Sequence, residues 1–482
     1  MKAKYVIGFE NGDHCILPDA ELVYEATRIL HVGRGYSGRV DVEFDAGNSV
    51  VAPGFIDLNA LSDIDHALFD SWTQPDRRLG LVWSEEYLRD HGPVFTREEE
   101  VFRREFALSQ LARNGVTTLM PIASESYKEW CEDYEDMADM AHAVTALGLR
   151  AYLGPSYRTA VPYTDGKRLL LHVNEARGLG GLDEAVRFAR DYEGAAEDLI
   201  RTALLPARIE TQSEGTLRAT REAADALNIP VRLHAAQGLY EVERIWARSG
   251  LRPLPYLAEI GFLKPRTFIP HAWAVPGHPH MPKNFGEGDD VALLSDSGTN
   301  VLFCPIPMAH YGGCLHTYDS YRQKGVRVVL GTDSAPPNMI RAMDLGMGMT
   351  KTFTAERSSA SAADLFRSAT LDPAEALGRD DLGRLAVGAQ ADYFVLDLSG
   401  PHVGPHLDPI RTMVMNCDGR DITRVVVAGR TVVEDGNVIT VDTSDYLERA
   451  QDFMERYVAS LTISDYAKRP LDELLPSSYP IR

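Results

Sequence analysis

The fold is indicated first by a short apolar stretch, VVAPGFID at residues 50–57, which ends in an acidic residue. Five further short apolar runs follow it, at residues 116–121, 230–234, 267–271, 300–305 and 326–333. Each run is followed by a segment with a helix-like pattern, and this alternation is the usual sign of βα units built on a parallel sheet. The pattern therefore predicts an α/β protein with a parallel sheet.

Three of the five further runs end in a residue that can take part in chemistry, namely His234, His271 and Asp333. In barrels of parallel strands, side chains at the C-terminal strand ends converge on one face, where such barrels place their active sites. A single histidine at a strand end is more often a hydrogen-bonded structural residue than a ligand. Three reactive residues at strand ends favour a functional site instead.

Both ends of the chain show a different pattern, of short strands separated by turns. This pattern covers residues from about 4 to 51 and from about 384 to 440. Within it, residues 424–436 have the pattern of a hairpin with a Gly-containing turn. We expect the two ends to form one sheet domain, followed by a helix over 444–461 and an extended tail rich in Pro and Ser.

The composition argues against several classes of protein. Apolar residues make up 44% of the 482 residues and charged residues 25%, as in an ordinary soluble globular protein. The formal net charge is −21, from 49 basic and 70 acidic residues, so nucleic acids and anionic membranes would be repelled. We therefore expect a small-molecule partner, with no nucleic acid and no membrane partner.

The cysteines and the N-terminus predict a cytoplasmic protein. The five cysteines are an odd set without the spacing of a metal finger or a disulfide framework, which is typical of a reducing compartment. The first residues reach Glu10 and Asp13 without the apolar run of a signal peptide. No stretch approaches the roughly 18 uncharged apolar residues of a membrane helix.

Five motifs, taken in order along the chain, resemble those of one enzyme family. They are APGFID, VRLHAAQ, PHAW, LGTDS and LGRLAVGAQADY, at residues 52–57, 231–237, 270–273, 330–334 and 382–393. They are similar to the motifs of amidohydrolases of the atrazine chlorohydrolase and guanine deaminase group. Each motif alone is weak, but five in order over nearly the whole chain make a strong signal for the fold.

The resemblance implies a (β/α)8 TIM-like barrel over residues 53–383. A small β-sandwich domain is then assembled from residues 1–52 and 384–440. Residues 441–482 form a C-terminal helix and tail. The resemblance also implies a homo-oligomer, with a dimer as the expected form.

The resemblance further implies a divalent metal, commonly zinc or iron, that lowers the pKa of a bound water. In the family pattern, a His-x-His after strand one, a histidine after strand five and an aspartate after strand eight hold this metal. His234 and Asp333 match the last two of these positions. His271 matches a histidine after strand six that helps to bind the substrate and to transfer protons. In the family, a glutamate near the fifth-strand ligand shares this role.

The chain departs from this pattern at two places. Asn59-Ala60-Leu61 stands where the family has His-x-His, and a leucine cannot be a ligand. Asn59 offers only a neutral carbonyl oxygen, which is a poor replacement for an imidazole at zinc. Gln237 stands where the family has its glutamate, and an amide cannot exchange a proton near pH 7. The metal site is therefore degenerate, so the cofactor stays unknown: a weakened zinc site and a metal-free site are both open.

Other histidines are weak candidates for replacement ligands. They are His66, His278, His280, His310 and His316. Histidines in loops bounded by proline are common on surfaces, so His278 and His280 are expected to be exposed.

Three hypotheses about function remain open. The first is a divergent enzyme that acts on a small polar or heterocyclic substrate, by C–N hydrolysis or deamination or by a related metal-independent elimination or isomerisation. The second is a non-catalytic binding or scaffold homologue, and the third is a zinc hydrolase with replacement ligands. The first assigns catalysis to His271, Asp333 and His234. It assigns substrate binding to Asn59, Gln237, Trp273 and Ser334.

Overall fold

The computed structural model describes residues 1–65, 82–122, 128–311, 315 and 318–481. Its strands are β1 Lys2–Glu10, β2 Asp13–Glu25, β3 Arg28–Gly33, β4 Ser49–Pro53, β5 Phe55–Ala60, β6 Val116–Pro121, β7 Arg150–Leu153, β8 Ser156–Tyr157, β9 Ala160–Thr164, β10 Leu169–Val173, β11 Ile200–Thr202, β12 Leu205–Pro206, β13 Val231–Arg232, β14 Thr267–Pro270, β15 Asn300–Phe303, β16 Val328–Leu330, β17 Tyr393–Asp397, β18 Ile422–Val427, β19 Arg430–Glu434 and β20 Asn437–Val438.

Its α-helices are α1 Glu85–Arg89, α2 Arg97–Arg113, α3 Tyr134–Leu147, α4 Glu175–Tyr192, α5 Ala195–Asp198, α6 Glu214–Leu227, α7 Leu239–Ser249, α8 Pro253–Glu259, α9 Asp290–Ser297, α10 Pro305–Tyr311, α11 Tyr318–Gln323, α12 Met339–Thr354, α13 Ala362–Ser368, α14 Leu371–Leu377, α15 Pro409–Asn416, α16 Tyr446–Ser464 and α17 Leu471–Leu474. Short 3₁₀ turns lie at Ile209–Thr211, Lys283–Phe285 and Gly419–Asp421. No helix of the described residues is long and apolar enough to cross a membrane.

The centre of the molecule is a parallel β-barrel. Strands β5, β6, β7 and β11 form one half of it, and strands β13, β14, β15 and β16 form the other. A parallel bridge between Leu204 and Val231 joins the halves on one side. On the other side the Asp333 amide donates to the Asn59 carbonyl at 2.8 Å. The predicted (β/α)8 barrel with a small β-domain is confirmed.

The barrel strands are buried on both faces, as expected for parallel strands covered by helices. Every residue of β5 and β6 is buried. One set of side chains fills the inside of the barrel, and a larger set packs between strands and helices. The inner set includes Ile56, Leu58, Met120, Phe268 and Leu302.

The β-domain is one eight-stranded sheet in the order β20-β19-β18-β17-β4-β1-β2-β3. Its strands come from both ends of the chain, within residues 2–53 and 393–438. The exact domain boundaries stay a prediction. A buried ion pair links the sheet to the barrel, because Arg150 Nε of β7 lies 3.2 Å from Asp392 Oδ2, just before β17.

The predicted run 50–57 is divided between the two domains. It forms the end of β4 and the start of β5, with Gly54 between them. The Gly54 amide donates to the Asp392 carbonyl at 3.0 Å. A Cβ atom at Gly54 would lie 2.1 Å from Thr117 Oγ1, so only glycine lets the chain pass this close to β6.

The C-terminal segment packs onto the barrel helices. Helix α16 contacts α2 through a buried aromatic cluster, in which the rings of Phe95 and Phe453 stack with centroids 3.9 Å apart. The expectation of an extended tail was wrong in part, because α17 lies within it and its residue Leu474 is fully buried.

Candidate active site

His234, His271 and Asp333 lie together at the C-terminal ends of β13, β14 and β16. One ligand atom from each of the three side chains lies within 4.8 Å of the others. The distance from His271 Nε2 to Asp333 Oδ2 is 3.7 Å, and the two imidazole rings are 5.6 Å apart between centroids. The structure thus brings the three strand-end residues into one site.

The backbone at two of these residues is in the left-handed region, with φ of 67° at His271 and 62° at Asp333. Such conformations cost a side-chain-bearing residue about 1 kcal/mol or more, and they cluster at functional sites. Here they turn two strand-end side chains toward each other. The fold therefore maintains local strain where the reactive groups meet.

Asn59 connects the end of β5 to this group. Its Nδ2 donates to Asp333 Oδ1 at 2.9 Å and to Cys304 Sγ at 3.4 Å. Its Oδ1 is buried and has no hydrogen-bond partner among the described residues. Gly331 makes this approach possible, because a Cβ atom there would lie 3.0 Å from Asn59 Cβ. The amide thus occupies one oxygen of Asp333 and leaves Oδ2 on the side of His271.

Burial sets the charge states of the three strand-end residues. Burial raises the pKa of Asp333 to about 6, although the positive charges of Arg208 and Arg232 oppose this shift. Burial and the charge of Arg208 lower the pKa of His271 to about 3. The same causes hold the pKa of His234 well below its usual value. At neutral pH the site therefore contains two neutral imidazoles and one carboxylate.

Both ring nitrogens of His271 are buried and have no hydrogen-bond partner among the described residues. A buried polar atom without a partner costs about 1–3 kcal/mol, so it requires an explanation. His234 differs, because its Nδ1 lies 3.3 Å from the Ala207 carbonyl oxygen. Within the described part of the chain, His271 thus has no hydrogen-bond partner on either nitrogen, whereas the half-buried His234 has one on Nδ1 only.

Two arginines at the site were not identified from the sequence. Arg232 lies inside the barrel, where its guanidinium donates to the carbonyls of Leu58 and Pro121 at 3.1 and 2.6 Å. Burial lowers its pKa only to about 10, so it stays a cation at neutral pH. Arg208 Nη1 donates to Gln237 Oε1 at 2.7 Å. Arg208 follows the short strands β11 and β12, which the apolar pattern did not reveal.

The helix that follows β13 fixes the position of Gln237. The backbone amide of Gln237 donates to Glu241 Oε2 at 3.0 Å, and the backbone amide of Ala236 donates to Glu241 Oε1. Burial raises the pKa of Glu241 well above its usual value. Gln237 is therefore held by Arg208 on its side chain and by Glu241 on its backbone.

Trp273 and the loop histidines lie beside the site. The half-buried Trp273 ring lies 4.8 Å from the His278 ring, and the His280 amide donates to His278 Nδ1 at 3.1 Å. The expected exposure was wrong for His278, which is only 7% exposed because it packs on Trp273. It was right for His280. His310 is also exposed.

The loop histidines do not join the three strand-end residues. Within the part of the chain that the structure describes, His234, His271 and Asp333 form the only group of three or more possible ligand residues. His66 and His316 lie outside the described residues. Ser334 is buried after Asp333, and its amide donates to the Thr332 carbonyl at 2.7 Å.

Comparison with known proteins identifies the family. A model of the amidohydrolase family matches residues 50–432. The chain belongs to the amidohydrolase family. The resemblance seen in the sequence motifs is confirmed, and with it the expectation of an amidohydrolase-like hydrolase at the level of the family.

Among its relatives is the 5-methylthioadenosine/S-adenosylhomocysteine deaminase of Natronomonas pharaonis, 28% identical over 448 residues, which are 91% of this chain and 92% of that protein. Another is the 5'-deoxyadenosine deaminase of Methanosarcina barkeri, 27% identical over 95% of this chain and 98% of that protein. A zinc-bound adenosine deaminase from Xanthomonas campestris superposes with a TM-score of 0.74 at 20% identity, covering 95% and 98% of the two chains. The zinc complex of the atrazine chlorohydrolase of Arthrobacter aurescens has the same TM-score at 20% identity, covering 94% and 98%.

The residues of this amidohydrolase do not fit the metal site of its family. Of the four ligand positions that the sequence resemblance implies, the structure brings the side chains of His234 and Asp333 together. Asn59 directs an N–H donor at Asp333 Oδ1, where the family pattern brings a histidine to the metal. Leu61 is apolar and 1% exposed, so no side chain replaces the second histidine there.

Proposed function

We propose that this amidohydrolase hydrolyses a non-peptide C–N bond in a small polar heterocycle, and that it uses side-chain acid/base chemistry. Adenosine-like nucleosides are the first class to test, because both curated relatives named above are deaminases of such molecules. One observation carries the proposal: Asp333 Oδ2 faces the unpartnered His271 Nε2 at 3.7 Å in a buried strand-end site.

Asp333 is the proposed general base. Its Oδ1 accepts from Asn59, so Oδ2 is the oxygen that takes a proton from water. The water oxygen then bonds to the ring carbon that carries the amine. Asp333 returns the proton to the departing nitrogen, which leaves as ammonia. A pKa of about 6 suits both steps near neutral pH.

His271 is proposed to position the water and the substrate. Because its pKa is about 3, the imidazole is neutral and can donate from one nitrogen and accept at the other. It therefore orients a water toward the substrate without adding a charge. His234, which lies against the Ala207 carbonyl, supports the ring of His271 from the neighbouring strand.

Gln237 and Trp273 are proposed to bind the substrate. Gln237 cannot transfer protons, but its amide is fixed by Arg208 and can hydrogen-bond a heterocycle. The half-buried Trp273 offers an aromatic face for a flat ring. In this family, a bound metal would supply an activated water. Here we assign the activation of water to Asp333.

The cellular setting belongs to the same proposal. The strong negative charge supports a small-molecule substrate over nucleic acid or a membrane surface. We propose a cytoplasmic enzyme that works as a homodimer, and equilibrium sedimentation of the purified chain tests the dimer. A monomer at micromolar concentration would contradict it.

The test of function is ammonia release from a panel of adenosine, 5'-deoxyadenosine, 5'-methylthioadenosine and S-adenosylhomocysteine. We expect turnover of at least one compound that persists after treatment with a metal chelator. Binding of these compounds without turnover would favour a non-catalytic homologue. Turnover that is lost with chelator and restored by zinc would instead favour a zinc hydrolase with replacement ligands.

A further inference from the structure

Arg232 is an unusual residue for the inside of a barrel. It is 3% exposed and lies on β13, two positions before His234. Its guanidinium crosses from the second half of the barrel to the first. There it donates to the carbonyls of Leu58, Met120 and Pro121, at 3.1, 2.9 and 2.6 Å.

The acceptors of Arg232 do not neutralise its charge. All three are main-chain carbonyls, which are uncharged. Among the described residues, no carboxylate lies within ion-pair distance of this guanidinium, although Asp333, Glu132 and Asp57 act on it from further away. A guanidinium is always charged, and burying a cation without a direct counter-ion is energetically unfavourable. Its retention beneath the site therefore requires a reason.

The position of Arg232 supplies this reason. Leu58 directly precedes Asn59, so the guanidinium is fixed at the level of the chain where the family pattern begins its first metal ligands. Asn59 in turn donates to Asp333. The carboxylate thus has an amide N–H on one oxygen, and the positive charges of Arg208 and Arg232 both act on it. In the family, a divalent metal provides positive charge at this place.

We propose that Arg232 is a built-in cation that takes the electrostatic place of the family's metal and opposes metal binding. It is a positioning residue, because it acts through Asp333 and Asn59 and not on the substrate directly. This inference deepens the proposed function and rests on its metal-independent chemistry. It adds that restoring the two lost histidines is not sufficient to restore a metal site.

The test uses zinc alone as the probe and a variant in which Asn59→His and Leu61→His complete the four ligand positions. We expect this parent variant to bind zinc weakly in competition with a chromophoric chelator. Adding Arg232→Met, which removes the charge at similar length, is expected to tighten zinc binding at least about tenfold, equivalent to about 1.4 kcal/mol. Adding Arg232→Lys, which keeps the charge, is expected to leave the affinity weak.

Arg221→Met in the parent is the matched control. Arg221 is also a buried arginine, but it donates to Thr267 Oγ1 at 3.2 Å, at the opposite end of the barrel strands. Its loss is expected to leave zinc affinity unchanged. Equal zinc affinity with methionine and arginine at position 232 would overturn the inference, and so would an equal gain in the control.

Two measurements keep the test decisive if Arg232→Met fails to fold. Arg232→Gln is a second neutral variant that keeps N–H donors for the three carbonyls. The affinity of the parent variant is itself informative, because tight zinc binding with Arg232 in place would overturn the inference. None of these readouts requires activity, so their failure is distinguishable from failure of the proposed reaction.

Discussion

The two halves of the barrel contribute very differently to the candidate site. The second half, β13 to β16, provides His234, His271 and Asp333 at its strand ends. The first half, β5 to β7 with β11, provides the Asn59 amide and main-chain carbonyls. The three strand-end residues thus all come from the second half, while the first half adds the buried carboxyl groups of Asp57 and Asp65, whose pKa values burial raises to about 6 and about 7. The first half holds the three strand-end residues in place.

The first half departs from the family pattern in its side chains while its strands keep the barrel packing. The family pattern places two metal ligands in the first half, where this chain has Asn59 and Leu61. Both positions remain fully or almost fully buried, at 0% and 1% exposure. These two positions are therefore part of the packed barrel, and Asn59 makes a hydrogen bond to Asp333 there.

The largest expected effect is at Asp333. Asp333→Asn keeps the shape of the side chain and removes the base, so activity should fall by about 10²- to 10⁴-fold. Asp344→Asn, at an exposed position on helix α12, should leave activity unchanged and serves as the control. Steady-state kinetics on the substrate found in the panel measures both. Full activity in Asp333→Asn would show that the second half of the barrel does not supply the catalytic base.

His271→Ala should have the next largest effect. Loss of the positioning imidazole should reduce kcat by about 10²-fold, while KM changes less. Leu61→Ala, on the first half, should reduce kcat by less than about threefold, because it removes only packing from the site. A larger loss from the leucine variant than from the histidine variant would invert the comparison between the halves.

The pH dependence of activity tests whether Asn59, on the first half, acts on Asp333, on the second half. Activity requires ionised Asp333, whose pKa is raised to about 6, so kcat/KM should fall as the pH decreases through about 6. Asn59→Leu removes the hydrogen bond that favours the ionised form, and the acid limb should then move to higher pH. An acid limb that stays in place in Asn59→Leu would show that the amide does not act on Asp333.

Among the polar residues of the site, the smallest effect is expected at Gln237. Gln237→Glu restores the residue of the family pattern, but the new carboxylate would pair with Arg208 at the present contact distance of 2.7 Å. Activity should change by less than about tenfold. A gain of several hundredfold would mean that a carboxylate at position 237 can transfer the proton and that Asp333 is not the main base.

Much of the fold could be predicted from the sequence, because buried parallel strands form apolar runs. The run 116–121 coincides with β6. Strands β7 and β11 were not predicted, since they have only four and three residues and each contains an arginine. Strand β13 is also short and contains Arg232, but its run continues into the VRLHAAQ motif, and β7 and β11 have no such motif.

The site could be predicted only in part. The strand-end positions of His234, His271 and Asp333 follow from the motifs, and the structure places these residues together. The roles of Arg208 and Arg232 depend on side chains that cross from one element to another. Such contacts join residues far apart in the sequence, as between Arg232 and Leu58, and no local pattern encodes them.

The most direct test of the account is the metal content of the purified, untagged protein. Cells would be grown with added zinc, iron and manganese, and metal would be measured by mass spectrometry together with ammonia release on the same sample. We expect an active protein that contains far less than one metal ion per chain. One tightly bound metal per chain that is lost together with activity in Asp333→Ala would contradict it.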